Sequence, residues 1–60
     1  RRRSLFVVED VAEGELLTEK NIRSIRPGHG LPPKYYESVL GKRASKSLKR
    51  GRPLMQEDLA

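Results

Sequence analysis

An imperfect internal repeat limits the folds that these 60 residues can adopt. Residues 7–22 align with residues 44–59 at an offset of 37 positions, since residue 7 matches residue 44. Each copy is predicted to form a short strand, a turn at a glycine, an apolar pair and one helical turn. Because so short a segment cannot bury its apolar side unaided, the copies are expected to pack together about a pseudo-twofold axis. The alternative is a chance similarity of two strand–turn–helix units. The aligned pairs are Val7 with Ala44, Val11 with Leu48, Gly14 with Gly51, Leu17 with Leu54, and Ile22 with Leu59.

Three helical segments are predicted. One turn begins at Thr18, whose hydroxyl is a favourable N-cap. Another begins near Met55, where the acidic residues that follow suit a helix N-terminus. Between the copies, residues 34–40 follow two prolines and end at Gly41, which predicts a short helix. Tyr35 is expected to point away from the core. The residues expected to lie on the core-facing side of this helix are Tyr36, Val39 and Leu40.

The two copies differ in charge, since the first is acidic where the second is basic. Charges of opposite sign could therefore pair between the copies, although exposed pairs contribute only about 0–1 kcal/mol each. The acidic side chains of the first copy are Glu9, Asp10, Glu13, Glu15 and Glu19, and the basic ones of the second are Lys46, Lys49, Arg50 and Arg52.

Residues 25–33 hold three prolines and two glycines, which predicts a stiff loop that is poor in side chains. Arg26 lies on this loop, and its guanidinium fork suits a carboxylate, a phosphate or an amide carbonyl. The alternative is a structural turn whose arginine is solvated. His29 could bind a ligand through a hydrogen bond or could simply face solvent.

Composition excludes several classes of site. The absence of cysteine excludes disulfides and thiolate metal sites, and a single histidine excludes a histidine pair. The hydroxyl groups, that of Ser4 included, have only His29 as a possible base, and the acidic residues lie in surface-like turns, so the isolated domain is not expected to be catalytic. The apolar run behind the basic start is too short for a signal peptide or a membrane span, which favours a cytoplasmic protein without membrane contact.

The net charge of +5 raises the question of polyanion binding. Few aromatic residues are available for base stacking and no nucleic-acid motif is present, so nucleic acid is an unfavoured partner. A solvated basic face is expected. A basic module that binds nucleic acid or an anionic glycan is the alternative.

Several short motifs, in order along nearly the whole chain, resemble the antifreeze-like (SAF) domain at the C-terminus of sialic acid synthases. The tract from Arg26 to Tyr36 is most similar to the pseudaminic and legionaminic acid synthase branch. The motifs are Arg2-Arg3-Ser4-Leu5, Asp10-Val11, Gly14-Glu15, Leu17-Thr18, Ile25-Arg26-Pro27-Gly28-His29-Gly30, Leu40-Gly41-Lys42 and Gly51-Arg52-Pro53-Leu54.

The resemblance implies a small α+β, mainly β domain of the β-clip type: a pretzel of short strands and helical turns with internal pseudo-twofold symmetry. It implies that residues 1–60 form a single SAF domain excised from a larger protein, whose N-terminal TIM barrel condenses phosphoenolpyruvate with an N-acylated mannosamine-type sugar. A divalent metal, manganese or magnesium, is expected in the barrel, and no cofactor is expected in this domain.

The resemblance also assigns a site. Family members form a swapped homodimer in which this domain covers the active site of the second subunit, and the family's loop arginine contacts the sugar there. Arg26 is the matching residue, with loop support from Pro27, Gly28, His29 and Gly30. Ice binding and a chaperone-like role in flagellar or pilus assembly occur among related domains. The charged segment 9–21 disfavours the first, and the lack of an export signal disfavours the second.

Overall fold

Regular secondary structure is sparse and is centred on one antiparallel pair of strands. In a computed structural model of the chain, strand β1 spans Ser4–Val7 and strand β2 spans Ile22–Ile25, in a register that sets Val7 opposite Ile22. Residues 52–54 pair with the other edge of β1 through backbone hydrogen bonds of 2.9 Å. All four residues of β1 are therefore buried, and β1 is the central segment of the domain.

Backbone hydrogen bonds confirm the predicted pseudo-twofold relation. Val11 and Leu48 occupy the same position in the two copies, and each donates its N–H to the carbonyl of the other at 2.8 Å. A reciprocal bond between equivalent residues marks the axis, and bonds away from the axis occur in equivalent pairs. The repeat is therefore a structural one and not a chance similarity. Two such pairs are Gly14 to Ala44 (2.8 Å) with Gly51 to Val7 (2.7 Å), and Leu17 to Lys42 (2.8 Å) with Leu54 to Leu5 (2.9 Å).

The core forms where the two copies meet. Every apolar position aligned in the repeat is buried except Leu59, which is half-buried and packs against the others. Gly14 and Gly51 have φ values of +86° and +96°, which allow the chain to reverse at the same point of each copy. The core residues are Leu5, Val7, Val11, Leu17, Ile22, Val39, Ala44, Leu48 and Leu54.

The helix predicted between the copies is confirmed, with a tighter first turn. A 3₁₀ helix spans Pro33–Tyr35 and leads directly into helix α1, Tyr36–Val39. Val39 is buried and the ring of Tyr36 packs against the core, as the spacing predicts. Leu40, predicted on the same side, follows the helix in an extended conformation and is only half-buried. Tyr35 points outwards and is 44% exposed, with the Lys34 ammonium 5.5 Å from its ring centroid.

The segment that begins at Thr18 is a hydrogen-bonded turn and not the predicted helix, but it shares one capping arrangement with the 3₁₀ helix of the second copy. The Thr18 hydroxyl accepts the N–H of Lys20 at 3.2 Å, which confirms its predicted capping role. The side chain of Asn21 completes the cap by accepting the Thr18 N–H at 2.8 Å. In the second copy, the 3₁₀ helix Gln56–Asp58 begins after Met55 as predicted, and Asp58 accepts the Met55 N–H at 2.9 Å.

Charge pairing between the copies is confirmed at one point only. Lys49 Nζ lies 4.0 Å from Asp10 Oδ2, and both side chains are largely exposed. The other ion pairs among the described residues lie inside the second copy, because its capping residue is an acid where the first copy has an amide. The prediction that acidic residues lie at the surface is wrong for Asp58, which is fully buried. These pairs join Lys46 to Glu57 (3.6 Å) and Asp58 (3.7 Å), and Arg52 to Glu57 (3.4 Å) and Asp58 (2.8 Å).

The structure describes residues 2–60, so Arg1 of the basic start lies outside the described residues. Within this range, no helix has the length and apolar character needed to cross a membrane. The same range contains no group of three or more His, Cys, Asp or Glu side chains that could hold a metal ion.

Candidate functional site

Ser4 holds both arms of the Arg26 loop, defined here as residues 26–31. Its hydroxyl donates to the carbonyl of Pro27 at 2.8 Å and accepts the N–H of Gly30 at 3.0 Å. Ser4 is 1% exposed, and both bonds are partly buried because their partners lie on the loop. The loop between Pro27 and Gly30 is thus fixed to the first residue of β1.

The far end of the loop is built into the core by its backbone. Leu31 donates its N–H to Leu54 O at 2.8 Å, and its carbonyl accepts the Leu5 N–H at 2.9 Å. Gly30 lies against the same two segments, and a Cβ placed on it would lie 2.5 Å from Leu5 O and 2.8 Å from Leu54 O. Only glycine fits this position without moving the backbone. A Cβ on Gly28 would lie 2.7 Å from the Cβ of Arg2.

Arg26 and His29 are the polar side chains of the loop, and both are exposed. Within residues 2–60, neither side chain makes a hydrogen bond or a salt bridge. The Arg26–Pro27 peptide bond is cis. The guanidinium of Arg26 therefore offers its donors to an external carboxylate, phosphate or carbonyl.

The surroundings of Arg26 are basic. Arg2 packs beside Gly28, and Arg3 donates from its guanidinium to Ser24 O at 3.1 Å, two residues before Arg26. Three arginines thus approach one end of β1 and β2, which favours an anionic or strongly polar ligand at this end of the domain.

A second polar cluster, formed by Asp58, Arg52 and Lys46, has a structural role. Arg52 binds both carboxylate oxygens of Asp58, through Nε at 2.9 Å and a terminal nitrogen at 2.8 Å. Burial by itself raises the pKa of Asp58, but the Arg52 hydrogen bonds, the Met55 N–H and the charges of Arg52 and Lys46 outweigh it and hold that pKa below its usual value. The hydrogen bond to Asp58 raises the pKa of Arg52 in turn. The carboxylate is thus ionised and fully occupied, so it is not a candidate acid or base.

A shallow depression of about 320 Å³ lies on a different face, at the pseudo-twofold axis. It is open to solvent and shares no residue with the Arg26 loop, and the hydroxyl of the serine that lines it, Ser47, makes no hydrogen bond within residues 2–60. The Arg26 loop is the better candidate because it combines unpaired donors with a fixed backbone. The depression is lined by Asp10, Val11, Ala12, Glu15, Ser47, Leu48 and Lys49.

The structure places the predicted site residues on one short loop, and it adds Ser4, which the sequence offers only as a nucleophile without a base. Ser4 lies 23 residues from Pro27 and 26 from Gly30, so no local pattern joins them. Its signals in the sequence are its place in the motif Arg2-Arg3-Ser4-Leu5 and its position as a small polar residue at the head of the apolar run 5–8.

These features define a small pseudo-twofold β domain that presents an arginine from a clamped proline–glycine loop. The sequence profile of the SAF domain family matches residues 2–60, so the chain belongs to the SAF domain family. The family resemblance and the fold class expected from it are thereby confirmed.

Similar proteins place the chain near one group of enzymes. It is 53% identical over 57 residues to the pseudaminic acid synthase of Helicobacter pylori, which covers 95% of this chain and 17% of that protein. It is 40% identical over 48 residues to the N,N'-diacetyllegionaminic acid synthase of Campylobacter jejuni, which covers 80% of this chain and 14% of that protein. The chain spans about a sixth of the length of these relatives.

A solved structure shows the same fold. The crystal structure of the spore coat polysaccharide biosynthesis protein spsE from Bacillus subtilis superposes with a TM-score of 0.89 at 29% identity. The match covers 97% of this chain and 17% of that one. The SAF fold of this chain therefore also occurs as a small part of a larger biosynthetic protein.

Proposed function

We propose that this chain is the C-terminal, substrate-capping and dimer-forming domain of a sialic-acid-type synthase, of the kind that makes pseudaminic or legionaminic acid. Its similarity to synthases of those two sugars supports the class. Its coverage of about a sixth of each relative supports a larger parent that holds the catalytic part.

In this proposal, an N-terminal TIM barrel condenses phosphoenolpyruvate with an N-acylated sugar, and a divalent manganese or magnesium ion held by that barrel would supply Lewis-acid activation of the sugar aldehyde. The residues of this chain do not fit that metal, because residues 2–60 contain no cluster of suitable ligands. The chain instead contributes recognition: Arg26 enters the active site of the second subunit and donates hydrogen bonds to the acyl oxygen of the sugar.

The exposed Arg26 guanidinium, without an internal partner in residues 2–60 and mounted on an anchored loop, is the observation that supports this role. Because Ser4 and Leu31 hold the loop in place, little conformational entropy is lost when it meets a ligand. A hydrogen bond from a charged donor contributes about 1.5–3 kcal/mol, which corresponds to about a ten- to hundredfold change in substrate handling.

The test is the Arg26→Ala variant of the full-length enzyme. We expect kcat/KM for the acylated sugar to fall at least about tenfold while the unfolding temperature is unchanged. Arg50→Ala is the matched control, since Arg50 is an exposed arginine whose side chain makes no hydrogen bond or ion pair within residues 2–60. Wild-type kinetics in Arg26→Ala would refute the capping role.

The ice-binding alternative receives no support from the surface. Ice adsorption needs a flat face with few charges, and all five acidic side chains of the first copy are exposed. Polyanion binding has only the net charge and the basic end near Arg26 in its favour. A steep fall of nucleic-acid affinity with salt would be its signature.

A further inference from the structure

We infer that Ser4 is a positioning residue for substrate recognition, because its buried hydroxyl fixes the position of the loop that carries Arg26. This inference rests on the function proposed above. The inference is based on two hydrogen bonds of this hydroxyl: it donates to Pro27 O at 2.8 Å, and it accepts the N–H of Gly30 at 3.0 Å. Ser4 itself is 1% exposed and cannot contact a substrate. A direct contact of Ser4 with the substrate is thus excluded, and its hydroxyl bonds lead to the loop.

The geometry leaves the arginine end of the loop with few other attachments. The far end is held by both backbone bonds of Leu31. In contrast, among residues 2–60 the Pro27 carbonyl and the Gly30 N–H are hydrogen-bonded only to the Ser4 hydroxyl. Without the hydroxyl, the Pro27 carbonyl and the Gly30 N–H lose their hydrogen bonds to β1, and Arg26 is held only from its other side, through Ile25, which pairs with Ser4.

Small errors of placement are costly in recognition. A displacement of about 1 Å in a substrate-positioning group can reduce turnover by about a hundredfold. Loss of the Ser4 hydroxyl should therefore reproduce part of the Arg26→Ala defect. The defect should be selective, because Arg26 is proposed to contact the acylated sugar and not the phosphoenolpyruvate.

The experiment is a double-mutant cycle in the full-length enzyme with Ser4→Ala, Arg26→Ala and both together. We expect Ser4→Ala to lower kcat/KM for the sugar about tenfold, with KM for phosphoenolpyruvate unchanged. We expect no further loss when Ser4→Ala is added to Arg26→Ala, and recovery of activity in Ser4→Thr, which keeps the hydroxyl. Ser4→Cys keeps the volume but bonds weakly, and it replaces Ser4→Ala if that variant fails to fold.

Ser45→Ala is the matched control. Its hydroxyl also donates to a backbone carbonyl, that of Glu57 at 2.6 Å, but in the second copy and outside the Arg26 loop. We expect its sugar kinetics to match the wild type.

The outcomes separate the two proposals. If Arg26→Ala alone has wild-type kinetics, the proposed function fails, and the role of Ser4 fails with it. If Arg26→Ala is impaired but Ser4→Ala is not, only the role of Ser4 is refuted. Additive losses in the double variant, or equal losses toward both substrates, would also refute it, because they indicate general damage to the fold.

Discussion

The two copies of the repeat cap equivalent turns with different residues, and exchanging these residues tests how the neighbouring charges affect stability. Asn21 and Asp58 are equivalent in the repeat, both are buried, and each accepts the N–H three residues before it at 2.8–2.9 Å. The two copies differ in charge at a second aligned position. Arg52 is hydrogen-bonded to Asp58 in the second copy, whereas the equivalent residue of the first copy is Glu15. The position that supplies a cation to Asp58 thus holds an acid in the first copy, where the Asn21 amide donates instead to Leu16 O at 3.2 Å.

The expected magnitudes follow from the bonds that each variant loses. Asp58→Ala removes a cap, worth about 1 kcal/mol, and the Arg52 pair, worth about 2 kcal/mol after a discount for the partly exposed guanidinium. The sum of about 3 kcal/mol is large for a 60-residue domain, whose free energy of unfolding is about 3–9 kcal/mol in total. Asp58→Asn keeps the cap and should cost about 1 kcal/mol less than Asp58→Ala.

The reverse exchange should be more harmful. Asn21→Asp keeps the cap acceptor but buries a carboxylate without an arginine, so we expect a loss of about 3 kcal/mol or more at pH 7. Urea unfolding of the 60-residue chain, followed by circular dichroism, measures each change as a shift in midpoint at constant slope. Little or no loss in both Asp58→Asn and Asn21→Asp would refute the reasoning, because it would mean that the neighbouring charge has no influence on the buried group.

Two further predictions concern pH and the loop. The pKa of Asp58 is lower in the folded state than its unfolded value of about 3.9. The stability advantage of the wild type over Asp58→Asn should therefore be constant above about pH 5 and be lost as the pH falls through the folded pKa. Urea midpoints measured from pH 3 to 7 test this, and a stability difference that widens on acidification would contradict it. Gly30→Ala should cost more than about 2 kcal/mol because its methyl group meets the carbonyls of Leu5 and Leu54, whereas Gly51→Ala has free space and should cost about 1 kcal/mol of backbone strain. The reverse order in urea midpoints would show that the loop is not packed as described.

Much of the fold was predictable from the sequence because the relevant interactions repeat or act locally. The offset between Val11 and Leu48 predicted the pseudo-twofold axis, since equivalent apolar residues must share one small core. The glycine at each turn and the proline-led helix before Gly41 were predictable because they depend on the backbone preferences of single residues. The exposed arginine loop followed from its proline and glycine content.

The polar interior was decided by the tertiary structure, because buried hydrogen bonds depend on partners that are distant in sequence. Ser4 reaches Pro27 and Gly30 only once β1 and β2 have paired, and composition alone could not distinguish this serine from an exposed one. Asp58 belongs to an acidic run typical of a surface, yet it is buried because Arg52 folds back onto it. Charge sign along the chain predicted contacts between the copies, but a buried carboxylate attracts its cation more strongly than an exposed one does, so the ion pairs formed mainly inside the second copy.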